Sequence, residues 1–301
     1  MKRFTGIFTP IVTPFTSDDT VDDGALQRNV LRWMNTPLTG LVVLGSNGEA
    51  AQLDDVEADR VVDIVRQHVP RGRPLIAGTG RESTRATIAA TARAAAAGVD
   101  AVLVRTPSFY KGQMTTDAFV KHYTQVADRS PVPVLLYNVT IYTGVNLLPE
   151  AVGILSQHPN IVGIKETNSE MVQFGEYLAR AADGFTVLAG SGATYFSALM
   201  LGAHGAILAV AGVAPDLCVQ IFTAVRDGRI DQARSMNRQL APLSKLVGAT
   251  HGVPGLKAAL TLLGFEGGLP RPPLLPVGQQ AIDSIRQELR ELGLFDVVPA
   301  R

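Results

Sequence analysis

The chain has 301 residues, of which 46% are hydrophobic and 18% charged, so it can build a large buried core. Its 27 basic and 27 acidic side chains balance, which leaves no electrostatic footprint for nucleic acid or an anionic membrane. The single cysteine, Cys218, excludes an intramolecular disulfide, and the five scattered histidines show no zinc-ligand spacing. We therefore expect no nucleic-acid partner and no bound metal.

The amino-terminal sequence and the lack of long apolar runs predict a cytoplasmic protein. The stretch MKRFTGIFTPIVTPF has two basic residues, but its apolar patch is short and broken by Thr and Pro, unlike a signal peptide. No run approaches the roughly 18 apolar residues of a membrane span. We expect no membrane partner.

Eight short apolar runs predict eight β-strands. Each run is continuously apolar and bounded by Gly, Pro or polar residues, as in strands that are covered on both faces. In chain order they are GIFTPIV from Gly6, GLVVLG from Gly40, PLIAGTG from Pro74, DAVLVRTP from Asp100, VPVLLYN from Val132, IVGIKE from Ile161, FTVLAGS from Phe185 and GAILAV from Gly205.

Amphipathic or alanine-rich stretches between these runs predict helices, among them residues 54–69, 83–97, 117–129 and 169–182. Alternating strands and helices indicate a parallel sheet, and eight such units close a TIM barrel. The rival doubly wound sheet usually has a glycine-rich phosphate turn after its first strand, whereas here TPFTSDD follows. We therefore predict an α/β fold, a TIM (β/α)8 barrel.

Beyond residue 226 the pattern changes. Only helical segments follow, at residues 229–247, 254–263 and 276–292. We predict a catalytic barrel over residues 1–226 and a C-terminal helical extension over residues 227–301.

A lysine at the end of the sixth predicted strand is the central candidate for chemistry. Strand alternation points Lys165 and its neighbour Glu166 to opposite sides. An ammonium buried there either pairs with a carboxylate or becomes a neutral, nucleophilic amine that can form a Schiff base. Because active sites of TIM barrels lie at the C-terminal ends of the strands, we favour the second interpretation.

Two further strand ends carry polar residues. Tyr137 ends the fifth strand, next to the sixth, and its phenol could shuttle a proton for Lys165, although a buried core tyrosine is commoner. The GSNGE loop after the second strand offers backbone N–H groups around Ser46 and Asn47 for a carboxylate, or it is an ordinary turn. We expect Glu49 to tether this loop.

Four motifs in order resemble the dihydrodipicolinate synthase and N-acetylneuraminate lyase superfamily. They are GSNGE after strand two, TPSFY after strand four, YN at strand five and GIKE at strand six. The resemblance runs from GIFTPIVTPF to GVPGLKAAL, nearly the whole chain. It implies a TIM barrel, usually a homotetramer, that binds pyruvate or another 2-oxo acid as a Schiff base and needs no cofactor.

The same resemblance assigns roles to individual residues. Lys165 falls at the Schiff-base lysine and Tyr137 at the proton-shuttling tyrosine. Four more positions fall where the family lines the 2-oxo acid pocket: Ser46, Asn47, Gly190 and Ile207.

The chain departs from the synthase pattern at two substrate-binding positions. In YNVTIYTG, Tyr142 replaces the arginine that grips the second substrate's carboxylate, which weakens the synthase interpretation. Phe109 stands where many relatives have a relay tyrosine supplied across a subunit interface, and adjacent Tyr110 is expected to point elsewhere. Stretches such as LVVLGSNGEAAQLDDVE look more like the 4-hydroxy-2-oxoglutarate aldolase branch.

The leading hypothesis is a metal-independent class I lyase that cleaves or forms a C–C bond of a 4-hydroxy-2-oxo acid. Three alternatives stay open: 4-hydroxy-tetrahydrodipicolinate synthase, a 2-oxo sugar acid dehydratase and a non-catalytic barrel that binds a 2-oxo acid. The presence of both Lys165 and Tyr137 speaks against the last, because binding alone needs no amine nucleophile.

Overall fold

The computed structural model describes residues 4–297, in which eight parallel strands close into a barrel in sequence order. The strands are β1 (Gly6–Pro10), β2 (Gly40–Val43), β3 (Leu75–Gly78), β4 (Ala101–Arg105), β5 (Val134–Asn138), β6 (Ile161–Glu166), β7 (Thr186–Ala189) and β8 (Gly205–Ile207). Every strand lies within its predicted run, and the predicted TIM barrel is confirmed.

The described residues also form helices between and after the strands. They are α1 (Asp23–Met34), α2 (Asp55–His68), α3 (Thr84–Ala96), α4 (Thr116–Arg129), α5 (Thr140–Thr143), α6 (Pro149–Leu155), α7 (Met171–Arg180), α8 (Tyr195–Leu201), α9 (Pro215–Arg226), α10 (Ile230–Lys245), α11 (Gly252–Leu262) and α12 (Gln279–Glu291). The four delimited predictions correspond to α2, α3, α4 and α7. No helix in this part of the chain is long and apolar enough to cross a membrane.

Local sequence explains where several helices begin. Asp22, Asp54, Ser83 and Thr115 each accept a hydrogen bond from a backbone N–H three residues later, which satisfies a donor that the first turn leaves open. At α2 the cap is reciprocal, because Glu57 also accepts from the backbone N–H of Asp54.

The chain groups into two compact units. The first comprises Pro74–Ile207 with the described residues up to Gly6, and the second comprises Ile7–Arg73 with residues 208–297. The predicted helical extension is present in the second unit as α10, α11 and α12. The predicted domain boundary at residue 226 falls inside this unit and stays a prediction.

Close strand packing in the first unit depends on one glycine. A Cβ on Gly163 of β6 would lie 2.5 Å from the carbonyl oxygen of Thr186 and 2.8 Å from Leu135 Cδ2. Real Cβ atoms do not approach backbone so closely, so only glycine lets β6 pack between its neighbours here.

Candidate active site

Two predicted catalytic side chains meet at the ends of β5 and β6. Tyr137 and Lys165 are register partners, and Lys165 Nζ lies 4.3 Å from the centroid of the Tyr137 ring. Both side chains are buried. The convergence of these two residues, predicted from strand order, is confirmed.

An irregularity in β6 produces this pairing. Val134 is opposite Ile161, but Leu135 is opposite Gly163, so the register shifts by one residue. Without the shift Tyr137 would face Ile164, because a one-residue slip moves a strand's side chains to the other face. The extra residue therefore brings the phenol and the amine to the same place.

The environment of Lys165 favours the neutral amine. Burial lowers its pKa from 10.5 to about 7, and desolvation is the cause. None of the ion pairs found between described residues includes Lys165. Among the described residues, Lys165 therefore does not form the ion pair with a carboxylate that was the alternative interpretation. An amine with this pKa is substantially unprotonated at neutral pH and can act as a nucleophile.

Glu166 points away from Lys165, as alternation predicts. Its Oε2 accepts hydrogen bonds from Asn138 Nδ2 at 2.8 Å and Gln173 Nε2 at 3.2 Å, and its Oε1 accepts from Asn168 N at 2.5 Å. Burial raises the pKa of Glu166, while these hydrogen bonds oppose the rise. The carboxylate is fully hydrogen-bonded on the face opposite the pair formed by Lys165 and Tyr137.

The segment after β4 is fixed by a carboxylate that the sequence did not reveal. Glu82 accepts from the backbone N–H groups of Ser108 and Phe109, both at 2.8 Å, and from Arg105 Nη1 at 2.7 Å. Partial burial opposes ionisation, but these hydrogen bonds hold the pKa of Glu82 below its ordinary value. Nothing in its sequence context distinguishes Glu82 from a solvated loop acid.

Phe109 and Tyr110 lie on the surface of their unit. Their side chains are exposed, and the rings contact each other edge to face at 5.1 Å. Phe109 is thus not in the buried pair formed by Lys165 and Tyr137. Its predicted role as a substrate-binding residue stays a prediction.

Tyr142 lies in α5, directly after β5, and is 60% exposed. A cation lies close to this turn, because a Cβ on Gly144 would be 2.9 Å from Lys111 Nζ. Arg105 is already committed to Glu82. Contact between Tyr142 and a substrate stays a prediction.

The predicted pocket positions in the first unit are both at strand ends. Gly190 follows β7, and its N–H donates to the carbonyl oxygen of Glu166 at 2.5 Å. A side chain at Gly190 would clash with Thr167 and with the Glu166 backbone. Ile207 ends β8 and is fully buried. Their contact with a substrate stays a prediction.

In the second unit, Ser46 and Asn47 follow β2 in a short 3-10 turn. Glu49, in the left-handed region at φ 55°, accepts from Arg271 N at 2.8 Å and pairs with Lys257 Nζ at 2.5 Å. Glu49 and Lys257 are both buried. The prediction that Glu49 tethers this loop is confirmed, while carboxylate binding by Ser46 and Asn47 stays a prediction.

The described residues include no group of three or more His, Cys, Asp or Glu side chains placed to hold a metal ion. The expectation of a reaction without metal or cofactor stays a prediction.

The chain resembles one family of known proteins along nearly its whole length. The family model for the dihydrodipicolinate synthetase family matches residues 3–292. The chain is 36% identical over 293 residues to 4-hydroxy-tetrahydrodipicolinate synthase of Thermodesulfovibrio yellowstonii, covering 97% of this chain and 99% of the relative.

Solved structures agree in fold. Dihydrodipicolinate synthase of Thermotoga maritima superposes with a TM-score of 0.93 at 32% identity, covering 97% of this chain and 100% of the other. YagE, a prophage protein of the dihydrodipicolinic acid synthase family from Escherichia coli K12 solved in complex with pyruvate, gives 0.90 at 30% identity, covering 97% and 99%.

The barrel, the lysine at the end of β6 and the similar proteins together define the class of protein. It is a carbon–carbon lyase of the Schiff-base-forming type. More particularly, the chain belongs to the dihydrodipicolinate synthetase family. The finer resemblance to the 4-hydroxy-2-oxoglutarate aldolase branch stays a prediction.

Proposed function

We propose that Lys165 forms a Schiff base with pyruvate or with an aldol adduct of pyruvate. The observation that carries the proposal is the buried amine, whose pKa is lowered to about 7 and whose Nζ lies 4.3 Å from the Tyr137 ring centroid. YagE, a family member, binds pyruvate. In the proposed reaction the amine attacks the C2 carbonyl, a C–N bond forms, and the carbonyl oxygen leaves as water.

The protonated imine then accepts electrons. When the C3–C4 bond of the adduct breaks, its electron pair moves into the iminium to give an enamine, and the C4 hydroxyl becomes the carbonyl of the released aldehyde. Tyr137 takes the proton from that hydroxyl and delivers a proton to the enamine carbon, after which water releases pyruvate. The condensation direction is the reverse of the same steps.

For the substrate, we propose a 4-hydroxy-2-oxo acid. Tyr142 stands where the family's synthases carry an arginine, and a phenol cannot form the bidentate ion pair that a guanidinium gives a carboxylate. Dehydration of a 2-oxo sugar acid uses the same iminium and is a variant of this proposal.

A second candidate is 4-hydroxy-tetrahydrodipicolinate synthase. Relatives of that name share 32% to 39% identity with this chain. Lys111, next to Gly144, could supply the cation that Tyr142 lacks. The relatives' names favour this candidate, whereas Tyr142 favours the aldolase.

Ser46 and Asn47 are proposed, from the motif match alone, to hold the 2-oxo acid carboxylate. A homotetramer likewise rests on the family resemblance, and a cytoplasmic location is proposed because the relatives are metabolic enzymes. Light scattering of the purified protein tests the tetramer.

Covalent trapping tests the Schiff base. Borohydride with pyruvate should add one lactyl-sized mass to the peptide that contains Lys165, and Lys165→Ala should abolish the addition. Lys121→Ala, which removes an exposed lysine of α4, serves as the control and should trap pyruvate normally. Trapping at a different lysine, or none, contradicts the proposal.

Two rates measured on the same preparation then separate the two candidates. One is the rate of cleavage of 4-hydroxy-2-oxoglutarate, and the other is the rate of condensation of pyruvate with aspartate semialdehyde. Efficient cleavage with weak condensation supports the aldolase. Efficient condensation supports the synthase, and the variant Lys111→Met then shows whether Lys111 grips the second carboxylate.

A further inference from the structure

The catalytic pair has a counterpart on the opposite face of the same two strands. Asn138 follows Tyr137, Glu166 follows Lys165, and the two are register partners like the residues before them. Their side chains are joined by the 2.8 Å hydrogen bond from Asn138 Nδ2 to Glu166 Oε2. Both residues are buried. The two strand ends are thus linked directly behind the catalytic side chains.

Within residues 4–297, every group that donates a hydrogen bond to the Glu166 carboxylate is uncharged. Besides Asn138 these donors are Gln173 and the backbone of Asn168, while the adjacent Tyr177 hydroxyl donates to the carbonyl oxygen of Leu147. Burying a carboxylate without a cation is unfavourable, and a stability-only role would be met by an apolar side chain that packs α7 on the sheet. The location of this network, behind the catalytic pair, therefore suggests a role in the reaction.

Further hydrogen bonds of Asn138 and Glu166 fix the backbone at the ends of β5, β6 and β7. Asn138 Oδ1 accepts from Leu147 N at 3.0 Å, and its backbone carbonyl accepts from both the N–H and the hydroxyl of Thr167. The carbonyl of Glu166 accepts from Gly190 N, which links β6 to the end of β7. A shift of either side chain would therefore move the backbone that carries Tyr137 or Lys165.

We propose that the Asn138–Glu166 hydrogen bond is a positioning device that sets the Lys165 amine against the Tyr137 phenol. The proposal rests on the proposed function, in which these two groups move the substrate's electrons and proton. Misplacement by about 1 Å can lower a rate by roughly 10²-fold, so loss of the bond should lower turnover by about 10- to 100-fold. Asn138 and Glu166 act through their neighbours and touch no substrate.

An exchange of the two groups tests the bond itself. Asn138→Asp places a carboxylate against a carboxylate, and Glu166→Leu removes the acceptor, so each single variant loses the bond. The double variant Asn138→Asp with Glu166→Gln keeps the shapes and restores an amide–carboxylate bond of reversed direction. We expect both single variants to be slow and the double variant to recover most of the lost rate.

The rate is best measured without any second substrate. Exchange of the methyl protons of pyruvate with D2O, followed by NMR, requires only the Schiff base and the proton transfer. We expect the maximal exchange rate to fall in the single variants with little change in the pyruvate concentration at half-maximal rate. Borohydride trapping at Lys165 should persist, because the amine is still present.

The chain offers a matched control at the opposite end of the same strands. Asn160, just before β6, donates through Nδ2 to the carbonyls of Ala127, Ser130 and Val132, at 3.0, 2.9 and 3.3 Å. Asn160→Ala should lower the melting temperature but leave the exchange rate unchanged, whereas Asn138→Ala should lower both.

Two outcomes overturn the positioning role while leaving the proposed function intact. One is a normal exchange rate in Glu166→Leu. The other is a loss of exchange rate that the double variant does not recover and that Asn160→Ala reproduces at an equal loss of melting temperature. Failure of the unmodified protein to trap pyruvate at Lys165 contradicts the proposed function instead. The two failures are therefore distinguishable.

Discussion

Replacing Lys165 with methionine should make the protein more stable at neutral pH while abolishing pyruvate trapping. Methionine has a similar length, carries no charge and makes favourable contacts with aromatic rings such as Tyr137. The buried lysine, in contrast, opposes folding, because its ordinary pKa of 10.5 falls to about 7 in the folded protein. Removing the amine removes that opposition.

The size of the effect follows from the pKa shift. Each unit of difference corresponds to about 1.36 kcal/mol, so the shift opposes folding by on the order of 4 kcal/mol at pH 7. Unfolding takes up a proton between about pH 7 and pH 10.5, so stability of the unmodified protein rises with pH through this window. The advantage of Lys165→Met should therefore shrink to about 2 kcal/mol at pH 9.

Urea unfolding midpoints of both proteins at pH 7 and pH 9 measure this difference. Lys257→Met is the control for a buried lysine that does have a carboxylate partner. It should destabilise by about 3–5 kcal/mol, because it leaves Glu49 buried without its cation. If Lys165→Met is less stable than the unmodified protein at pH 7, burial of the Lys165 amine does not oppose folding. If its advantage does not shrink between pH 7 and pH 9, burial does not lower the pKa of Lys165.

Three further predictions concern activity. Tyr137→Phe should retain trapping of pyruvate while turnover falls by roughly 10²–10⁴-fold, the range for a lost proton-transfer group, and nearly unchanged turnover would make the phenol structural. Pyruvate methyl exchange should rise as pH increases through about 7, where Lys165 loses its proton, and a flat profile from pH 5 to pH 9 would contradict this assignment. Tyr142→Arg should lower the activation free energy of condensation with aspartate semialdehyde by ~1.5–3 kcal/mol, measured from kcat/KM of the variant and the unmodified protein. An unchanged kcat/KM would show that this position does not contact the second carboxylate.

The barrel could be predicted because its strands are buried on both faces and therefore read as continuous apolar runs. Shorter helices were harder to delimit. α6 and α8 have seven residues each, about two turns, which is too short for a 3.6-residue period to stand out. Their existence followed only from the need to connect parallel strands.

The candidate site was predictable where a residue type and a strand end coincided, as for Lys165 and Tyr137. The register shift at Val134 and Leu135 did not follow from the apolar pattern, although Gly163, a glycine inside the strand run, is the kind of residue that accompanies such an irregularity. Glu82 was missed for a different reason. Its contact with Arg105 spans 23 residues and depends on the path of two loops, which hydrophobic periodicity does not describe.

The buried pair of Glu49 and Lys257 has a consequence for how this chain can be shortened or varied. It joins the loop after β2 to α11, and Arg271, which also contacts Glu57 and Asp19, reinforces the link. A version ending at residue 226 would contain all eight strands but would leave the Glu49 carboxylate without its cation. Because either charge alone is unfavourable, the two positions can change only together, whereas a substitution at the exposed Phe109 or Tyr142 leaves no buried charge behind. Substitutions at these exposed positions therefore leave the Glu49–Lys257 pair, and with it the link between the loop after β2 and α11, intact.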